Sequence, residues 1–396
     1  MAIDVERARA LTPGCEHILH LNHAGASLAP QSVLDTVIDH LRLEADRGGY
    51  EAAAQAADRL DSVYASVADL LGAHLEDIAL TDSSTRGWLA AVHALPLGTG
   101  DRIVTTRAEY AAHAITFLQL EERQGCELVV VDDDEHGQLD LAEMARAIEH
   151  PRTRLVSVVH VPTQGGLVNP VEEVGRLCRE AGGITYVVDA CQSVGQLPVD
   201  VEAIGCDFLA GAGRKFLRGP RGTGFLYARQ STVGHLEPHA IDLHSAEWIA
   251  EGAYQLRDDA RRFELWEHSP ALRLGLGAAV DHALDWGLDA IAERNRTLAE
   301  GLRERLAGIP GVSVHDQGLR RCAITTFQVA GIEAADVAAD LRRRGVNVSV
   351  SVAGWARYDL PHRGIDALVR ASVHYLTTDE ELDRMAEDVA AIAAAA

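Results

Sequence analysis

Residues 208–227 read FLAGAGRKFLRGPRGTGFLY, in which two apolar runs flank a glycine-rich turn that contains a lysine. This residue, Lys215, is the only lysine in a chain of 396 residues. Arginine can replace lysine in most ion pairs, but its guanidinium cannot become the neutral amine that attacks a carbonyl. Codon drift toward arginine would explain the missing lysines, but not why the remaining one lies in a turn between strands, where loops carry function. The sequence therefore predicts a chemical role for Lys215.

Short apolar runs alternate with helix-period segments from residue 76 to the end of this stretch. Several runs are nearly continuous in Val, Ile and Leu, which indicates strands that are buried on both faces and joined by helical crossovers. The pattern predicts an α/β fold with a doubly wound, mainly parallel, seven-stranded sheet. The predicted strands are Asp77 to Thr81, Arg102 to Thr106, Glu127 to Val131, Leu155 to Val161, Ile184 to Ala190, Phe208 to Gly211 and Gly224 to Tyr227.

The pattern changes after about residue 285. A long charged helix is predicted from Asp289 to Ala307, and short strands and two further helices follow it. This mixture is typical of a smaller α+β unit that packs on the first. We therefore expect a large domain over residues 21–284, a small C-terminal domain over residues 285–396, and an N-terminal segment, residues 1–20, that packs with the small domain.

The composition excludes several classes of function. The formal net charge of −23 repels phosphate backbones and anionic membranes, so neither nucleic acid nor a membrane is expected as a partner. The six cysteines form no Cys-x-x-Cys pair, so we expect no disulfide framework, no zinc cluster and no metal site. The N-terminus lacks the basic-then-apolar layout of a signal peptide, which predicts a cytoplasmic protein.

Ligands of open α/β sheets bind at the carboxyl ends of the strands, where three polar features lie. Ser84 and Thr85 open a helix after one strand, so their hydroxyls and free backbone N–H groups suit a phosphate, although a plain N-cap would also explain them. Asp189 closes an apolar strand, and a buried carboxylate needs a cationic partner, either a ligand or a distant arginine. Tyr110 follows a third strand and suits either stacking on a flat ring or packing in the core.

One ligand accounts for these three features and for the lone lysine. Pyridoxal phosphate (PLP) requires a lysine for its aldehyde, a carboxylate at its ring nitrogen, an aromatic ring on its face and a helix N-terminus for its phosphate. The sequence therefore predicts PLP as the cofactor.

The order of these motifs resembles the class V aminotransferase superfamily of fold-type I PLP-dependent enzymes, over nearly the whole chain. The resemblance rests on Ser84-Thr85, Glu109-Tyr110, His160 to Asn169-Pro170, Asp189-Ala190-Cys191-Gln192, Arg214-Lys215 with Gly219-Pro220-x-Gly222-x-Gly224, and Val369-Arg370-Ala371-Ser372. It implies an amino-acid substrate and a homodimer with active sites at the interface.

The resemblance also implies roles for individual residues. Lys215 is expected to bind the cofactor aldehyde and carry protons, Asp189 to contact the pyridine nitrogen, and Tyr110 to stack on the ring. The implied cofactor-binding residues are Ser84, Thr85, Tyr110, Thr163, Asp189, Gln192, Arg214 and Lys215, and the implied substrate-binding residues are Asn22, Tyr50 and Arg370. Many relatives carry a hydroxyl where this chain has Ala212, so Arg214 is expected to compensate at the phosphate.

Three stretches most resemble the branch that contains hercynylcysteine sulfoxide lyase, isopenicillin N epimerase-like proteins and carbon–sulfur lyases. They are Gly48-Gly49-Tyr50-Glu51, residues 214–222 and Cys322-Ala323-Ile324-Thr325-Thr326. The resemblance implies a PLP-dependent carbon–sulfur lyase of ergothioneine-type or other sulfur natural-product biosynthesis. β-Elimination from an S-substituted cysteine or cysteine sulfoxide would give pyruvate, ammonia and a sulfur product, with Tyr50 as catalytic proton donor.

Two alternatives within the superfamily share the first proton abstraction. An epimerase needs a second acid or base, for which His23, His113 and Tyr50 are candidates. An aldehyde-forming decarboxylating deaminase is the other alternative.

Three further alternatives are disfavoured. A cysteine desulfurase would need a cysteine in the loop after the strand Val346 to Val352, where there is none, and Cys322 reads as a structural thiol. A catalytically inactive binding protein would not be expected to retain Lys215, Asp189 and Arg370 together. A cofactor-free lysine aldolase would leave Asp189 without a role.

Overall fold

The fold is built on a seven-stranded sheet with a hydrophobic core on each face. In the computed structural model, which describes residues 3–395, the strands are β1 (Leu19–His20), β2 (Ile78–Thr81), β3 (Arg102–Thr106), β4 (Glu127–Val131), β5 (Thr153–Val159), β6 (Thr185–Asp189), β7 (Phe208–Ala212), β8 (Gly224–Ala228), β9 (Ala246–Ala250), β10 (Ala253–Leu256), β11 (Val312–Val314), β12 (Ile324–Val329), β13 (Val346–Asn347), β14 (Ser349–Val352) and β15 (Ala367–Ser372). The large sheet has the order β2-β8-β7-β6-β5-β3-β4. Strands β3 to β7 pair in parallel, and β8 runs antiparallel to β2 and β7. The predicted mainly parallel seven-stranded sheet is confirmed.

Successive residues of the central strands enter different hydrophobic clusters. Val187 belongs to one buried cluster and Val188 to the other, and Leu155 and Val156 divide in the same way. Since side chains alternate across a strand, this division means that both faces of the sheet are covered. The nearly continuous apolar runs in the sequence have this physical cause.

Helices pack against the large sheet and against a second, smaller sheet. They are α1 (Val5–Ala10), α2 (Gln31–Arg47), α3 (Gly49–Gln55), α4 (Ala57–Leu71), α5 (Ser84–His93), α6 (Ala111–Gln124), α7 (Leu141–Ile148), α8 (Val171–Ala181), α9 (Val201–Ile204), α10 (Gln230–Val233), α11 (Pro270–Trp286), α12 (Leu288–Ala307), α13 (Ala334–Arg343) and α14 (Asp379–Ala393). Helix α11 packs against α2 and α4. A Cβ at Gly275 would lie 2.5 Å from Cγ2 of Val37, so only glycine permits this close approach of α11 to α2.

The turn that carries Lys215 connects two antiparallel neighbours. Strand β7 ends at Ala212 and β8 begins at Gly224, and the two strands pair directly. The connection is shorter than the dozen or more residues that a parallel crossover requires, so β8 returns beside β7 in the opposite direction. Lys215 therefore lies at the same edge of the sheet as the carboxyl ends of β5 and β6.

A second, four-stranded antiparallel sheet has the order β11-β12-β15-β14. The N-terminal segment is joined to this part of the fold, because β1 pairs in parallel with β13 and the Ser372 N–H group donates to the Leu21 carbonyl at 2.8 Å. Leu19 and Leu21 share a buried cluster with Val369 of β15. The division into domains at residues 20 and 284 stays a prediction.

The hairpin β9–β10 carries large apolar side chains on its surface. Trp248 is 70% exposed, and Ile249 and Tyr254 are about half exposed. Within residues 3–395, no helix has both the length and the apolar character needed to span a membrane.

A buried ion pair connects α12 with the four-stranded sheet. Arg303 Nε lies 2.7 Å from Asp316 Oδ2, and both side chains are almost fully buried. Replacing Arg303 with methionine would leave the Asp316 carboxylate buried without its cation, so we expect the free energy of unfolding to fall by about 3–5 kcal/mol. Urea denaturation would measure this change. The exposed pair of Arg296 and Glu293 provides the control, because Arg296→Met should leave the free energy of unfolding nearly unchanged; equal losses in the two variants would contradict the expectation.

Candidate active site

A cavity of about 170 Å³ lies at the carboxyl ends of β5, β6 and β7. Parallel strands of one sheet end at the same edge, so segments far apart in sequence meet here. Every residue that the sequence predicted to bind the cofactor lines this cavity, namely Ser84, Thr85, Tyr110, Thr163, Asp189, Gln192, Arg214 and Lys215. Their individual roles stay predictions, but their convergence on one cavity supports them.

Lys215 extends from the turn between β7 and β8 and is only 8% exposed. Among residues 3–395, no carboxylate forms an ion pair with its amine, so the buried lysine lacks the charged partner that burial normally demands. Asp189, Gln192 and Tyr110 line the same cavity. An aldehyde that bonds to this amine would meet all three side chains.

Asp189 closes β6 and is 5% exposed. Its Oδ1 accepts a hydrogen bond from the backbone N–H of Cys191 at 2.7 Å. No arginine of the described chain pairs with it, which removes the alternative that a distant arginine balances the carboxylate. The nearest basic group is His113, whose Nε2 lies 3.8 Å from Asp189 Oδ2. The carboxylate therefore remains available to a protonated ring nitrogen in the cavity.

His113 supports Asp189 from behind and does not line the cavity. Its ring stacks on Trp88 at a centroid distance of 3.9 Å, and its Nδ1 lies 2.8 Å from Glu109 Oε1. The side chain is 1% exposed. The sequence offered His113 as an epimerase acid or base, and the structure places it next to Asp189 but not among the residues that line the cavity.

The start of α5 provides the phosphate end of the cavity. Ser83 caps this ten-residue helix, and Ser84 and Thr85 form its first turn. A helix N-terminus presents free N–H groups to an anion. A Cβ on Gly224 would lie 2.6 Å from the backbone nitrogen of Ser84, so glycine at the start of β8 permits the strand to approach this turn.

Two further residues suit the phosphate and were not predicted. Thr223 and Arg221 line the cavity beside Arg214. Thr223 supplies a hydroxyl near the position where Ala212 has none. The glycine-rich turn was the only sequence feature that indicated Thr223 and Arg221. A turn does not show which of its side chains point into the cavity.

Arg370, on β15 of the four-stranded sheet, reaches the edge of the cavity. Its Nη1 donates to the Thr163 hydroxyl at 2.7 Å and to the Thr163 carbonyl at 2.8 Å, and its Nη2 donates to Asn22 Oδ1 at 3.4 Å. Gln192 Nε2 donates to the same Thr163 hydroxyl at 3.2 Å. Burial, and then the nearby charge of Arg214, lower the pKa of Arg370 to about 10. The guanidinium is still charged at neutral pH and suits a substrate carboxylate.

The residues in this region fit PLP. Among the described residues, Gln192 Oε1 is a buried polar atom without a hydrogen-bond partner, and it belongs to a side chain of the cavity. Tyr110 lines the same cavity as Cys191 and Asp189. Burial, and then the charges of these two residues, raise the pKa of its phenol. The cavity thus offers an amine, a carboxylate, an aromatic ring and an anion-binding helix start to one flat phosphorylated ring.

Tyr50 and His23 lie outside this cavity. Tyr50 belongs to α3 and is 80% exposed, so no described contact connects it with Lys215. His23 is fully buried, its Nδ1 lies 2.9 Å from the Ser27 hydroxyl, and burial lowers its pKa well below the usual value. The expected catalytic role of Tyr50 gains no support from this protomer.

The cysteines differ in their access to the cavity. Cys191 lines it and is partly exposed. Burial raises the pKa of Cys322 to about 12, so this thiol is not a nucleophile at neutral pH. The turn at Ala353–Trp355, after β14, contains no cysteine.

The chain is similar along its length to proteins that are named cysteine desulfurases. A probable cysteine desulfurase of Methanothermobacter thermautotrophicus is 30% identical over 388 residues, which cover 96% of this chain and 95% of the relative. The apo structure of a cysteine desulfurase from Thermococcus onnurineus NA1 superposes with a TM-score of 0.93 at 27% identity and covers 100% of this chain and 99% of that one.

These similarities overturn the function expected from the sequence. The relatives and the structural neighbour are cysteine desulfurases, which the sequence disfavoured, and not carbon–sulfur lyases of natural-product biosynthesis. The expected lyase rested on three short stretches of sequence, and the missing loop cysteine disfavoured a desulfurase. A loop residue is a local difference, whereas the similarity covers nearly the whole chain.

A second structural neighbour shares the fold, and a family model shows the family. A lysine-to-alanine variant of C-DES, with glycine covalently linked to its PLP cofactor, has a TM-score of 0.87 and 21% identity, over 96% of this chain and 98% of that one. The family model described as aminotransferase class-V matches residues 19–385. The protein is a PLP-dependent enzyme, and the chain belongs to the aminotransferase class-V family.

Proposed function

We propose that the protein uses PLP to remove the sulfur of L-cysteine and transfer it to a thiol, with L-alanine as the second product. The names of the full-length relatives support this reaction. The observation that carries it is the convergence of Lys215, Asp189 and Gln192 in one cavity, with Arg370 hydrogen-bonded to Thr163 at its edge. This arrangement holds an amino acid by its carboxylate and amine beside an electron-accepting ring.

Each residue has a task in this proposal. Bound PLP supplies the electron sink that makes the Cα proton of the substrate acidic. The Lys215 amine takes this proton, and Asp189 keeps the ring nitrogen protonated. Arg370 binds the substrate carboxylate as a charge-assisted pair, which orients the Cα–H bond toward Lys215.

The sulfur step requires a second thiol. A thiolate attacks the cysteine sulfur, so that a sulfur–sulfur bond forms while the Cβ–Sγ bond breaks. Cβ then gains a proton to become the methyl group of alanine, and the acceptor becomes a persulfide. The reaction balances without an external oxidant or reductant.

We propose a diffusible thiol as the acceptor. The turn Ala353–Trp355 carries no cysteine, and the Cys322 thiol is fully buried. Cys191 lines the cavity, but its backbone N–H is bonded to Asp189 at 2.7 Å, which ties it to the cofactor side of the site. A small thiol that enters with the substrate is not held next to Asp189 and is free to approach the substrate sulfur.

The test is product analysis with L-cysteine and dithiothreitol. We expect alanine and sulfide in equal amounts, because excess dithiothreitol releases sulfide from the persulfide. Pyruvate and ammonia in place of alanine would overturn the proposal. The variant Cys191→Ser should retain turnover within about twofold, since surface or lining substitutions that touch no reacting atom have small effects; complete loss with PLP still bound would identify Cys191 as the acceptor instead.

A homodimer is a further part of the proposal. Trp248 and Trp266 are 70% and 53% exposed, and large exposed apolar side chains mark interaction surfaces. The residues on either side of Trp266, Leu265 and Glu267, line a second, smaller cavity. Gly222 lines both this cavity and the active site, so the exposed Trp266 lies near the active site. Sedimentation should therefore show a species of twice the chain mass. The cytoplasm is the proposed location.

A further inference from the structure

Arg218, three residues after the catalytic lysine, is fully buried and adopts an unusual backbone conformation. Among residues 3–395 it is the only non-glycine residue with a positive φ, which is 65°. We propose that Arg218 is a positioning residue that fixes the lysine-bearing turn by tying it to both ends of the chain. The inference concerns how Lys215 is presented to PLP, and it does not depend on which amino acid is the substrate.

The backbone of Arg218 closes the turn around Lys215. The Arg218 N–H donates to the Lys215 carbonyl at 2.9 Å, and the next N–H, of Gly219, donates to the Gly213 carbonyl at 2.8 Å. A left-handed conformation costs a residue with a Cβ roughly 1–2 kcal/mol, and glycine would avoid that cost. The side chain must therefore offset the strain, since such outliers persist where the surroundings hold them.

The guanidinium contacts three separate segments. Its Nε donates to the Leu28 carbonyl at 2.9 Å, its Nη2 to the Thr12 hydroxyl at 2.5 Å, and its Nη1 to the Tyr375 hydroxyl at 2.5 Å. The guanidinium carbon also lies 5.3 Å from the centre of the Tyr375 ring. Thr12 and Leu28 precede the large sheet, and Tyr375 follows the last strand of the small one. One side chain thus joins the lysine turn to the N-terminal and C-terminal parts of the fold.

No described carboxylate pairs with this guanidinium, which is 1% exposed. All of its partners are neutral oxygens. Burial, and then the charge of Arg218, lower the pKa of His374 to about 3 and that of His282 to about 4. Both histidines are therefore neutral at physiological pH, and neither adds a second positive charge next to Arg218.

A buried cation without a counter-ion is a costly way to fill space. Burying a charge costs a lot unless it is both paired and hydrogen-bonded, and an apolar side chain of similar volume would avoid that cost. A purely structural tie would not require arginine at this place. The need to orient the backbone does explain the arginine. Its planar guanidinium has donors in fixed directions, and their hydrogen bonds orient the backbone from which Lys215 extends. His374 adds a further contact, since its Nε2 donates to the Phe216 carbonyl at 2.8 Å.

The experiment measures how fast the apoprotein captures PLP on Lys215. Capture is followed by the visible absorbance and by mass spectrometry after borohydride reduction. In Arg218→Gly the left-handed backbone is unstrained but the guanidinium is lost, so we expect capture to slow about 100-fold, as misplaced reacting groups do. In Arg218→Lys one point donor replaces the fork, and an intermediate rate, about tenfold slower, is expected.

A matched control separates positioning from stability. Arg262 is also buried, and its guanidinium donates only to backbone carbonyls, those of Arg257, Val233 and Leu236, away from the lysine turn. Arg262→Gln should lower the melting temperature as Arg218→Gly does, yet capture PLP at the wild-type rate. Normal capture by Arg218→Gly would overturn the proposal, as would equally slowed capture by Arg262→Gln.

Two milder variants keep the proposal testable if Arg218→Gly does not fold. Thr12→Val and Tyr375→Phe each remove one oxygen that accepts from the guanidinium, with little change of volume. Each should slow PLP capture by about three- to tenfold, less than loss of the whole guanidinium, because each variant removes only one of its hydrogen bonds. Wild-type capture rates in both variants would overturn the positioning role.

Discussion

Replacing Lys215 with alanine is expected to reduce turnover of L-cysteine by about 10,000-fold, the upper range for loss of a general acid–base group. The reason is that Lys215 is the only lysine of the chain and, among residues 3–395, the only primary amine that lines the cavity. The same variant should lose the visible absorbance of covalently held PLP. The measurements are the initial rate of alanine formation and the absorbance spectrum of the purified protein.

Two controls distinguish chemistry from damage to the fold. Lys215→Arg retains the positive charge but provides no neutral amine, so it should be as inactive as Lys215→Ala. Added ethylamine should restore part of the activity of Lys215→Ala, because a free amine can replace the missing proton carrier. Turnover by Lys215→Ala within about tenfold of the wild type, a difference of only 1.4 kcal/mol in the barrier, would refute the role of this residue.

The second large effect is expected at Asp189. Asparagine keeps the hydrogen bond from the Cys191 N–H group but removes the charge that is proposed to contact the ring nitrogen. Loss of one partner of a buried ion pair costs about 3 kcal/mol or more, which corresponds to a decrease in kcat of about 100-fold. PLP should remain covalently bound, because Lys215 is unchanged. Steady-state kinetics would measure the decrease in kcat, and the absorbance spectrum would show whether PLP is still bound.

Asp207 provides a matched carboxylate for this variant. It precedes the neighbouring strand β7, its Oδ2 accepts from the Tyr186 N–H at 2.8 Å, and it does not line the cavity. Asp207→Asn should keep kcat near the wild-type value even if it lowers stability. A comparable decrease of kcat in both variants would contradict a special role for Asp189.

The sheet and most of the cavity were predictable from the sequence because they depend on local patterns. Strands β3 and β4 have the predicted limits, since their apolar runs begin and end at polar residues and glycines. Strand β5 begins at Thr153 and ends at Val159, two residues before the predicted limit at Val161. The strand ends before its apolar run does, because Pro162 lacks the N–H group that a central strand needs.

Other features depend on contacts that a single sequence does not specify. An apolar run does not give the direction of a strand, so the antiparallel β8 was recognisable only from the short connection after β7. His113 has the residue type of an acid or base, yet the sequence does not show that it is buried against Trp88 and Glu109. The sulfur acceptor is the clearest case, because the fold fixes the cofactor site but does not require the acceptor to belong to the chain.

The hydrogen bonds of Arg218 have a consequence for the order of events during synthesis. The lysine turn is held by Thr12 and Leu28 on one side and by Tyr375 on the other. Synthesis proceeds from the N-terminus at about 5–20 residues per second, so Tyr375 is among the last residues to leave the ribosome. A nascent chain that has already formed its parallel sheet still lacks Tyr375 and Arg370. We therefore expect PLP capture to reach its full rate only after synthesis is complete, and chains that end before Tyr375 should capture PLP more slowly.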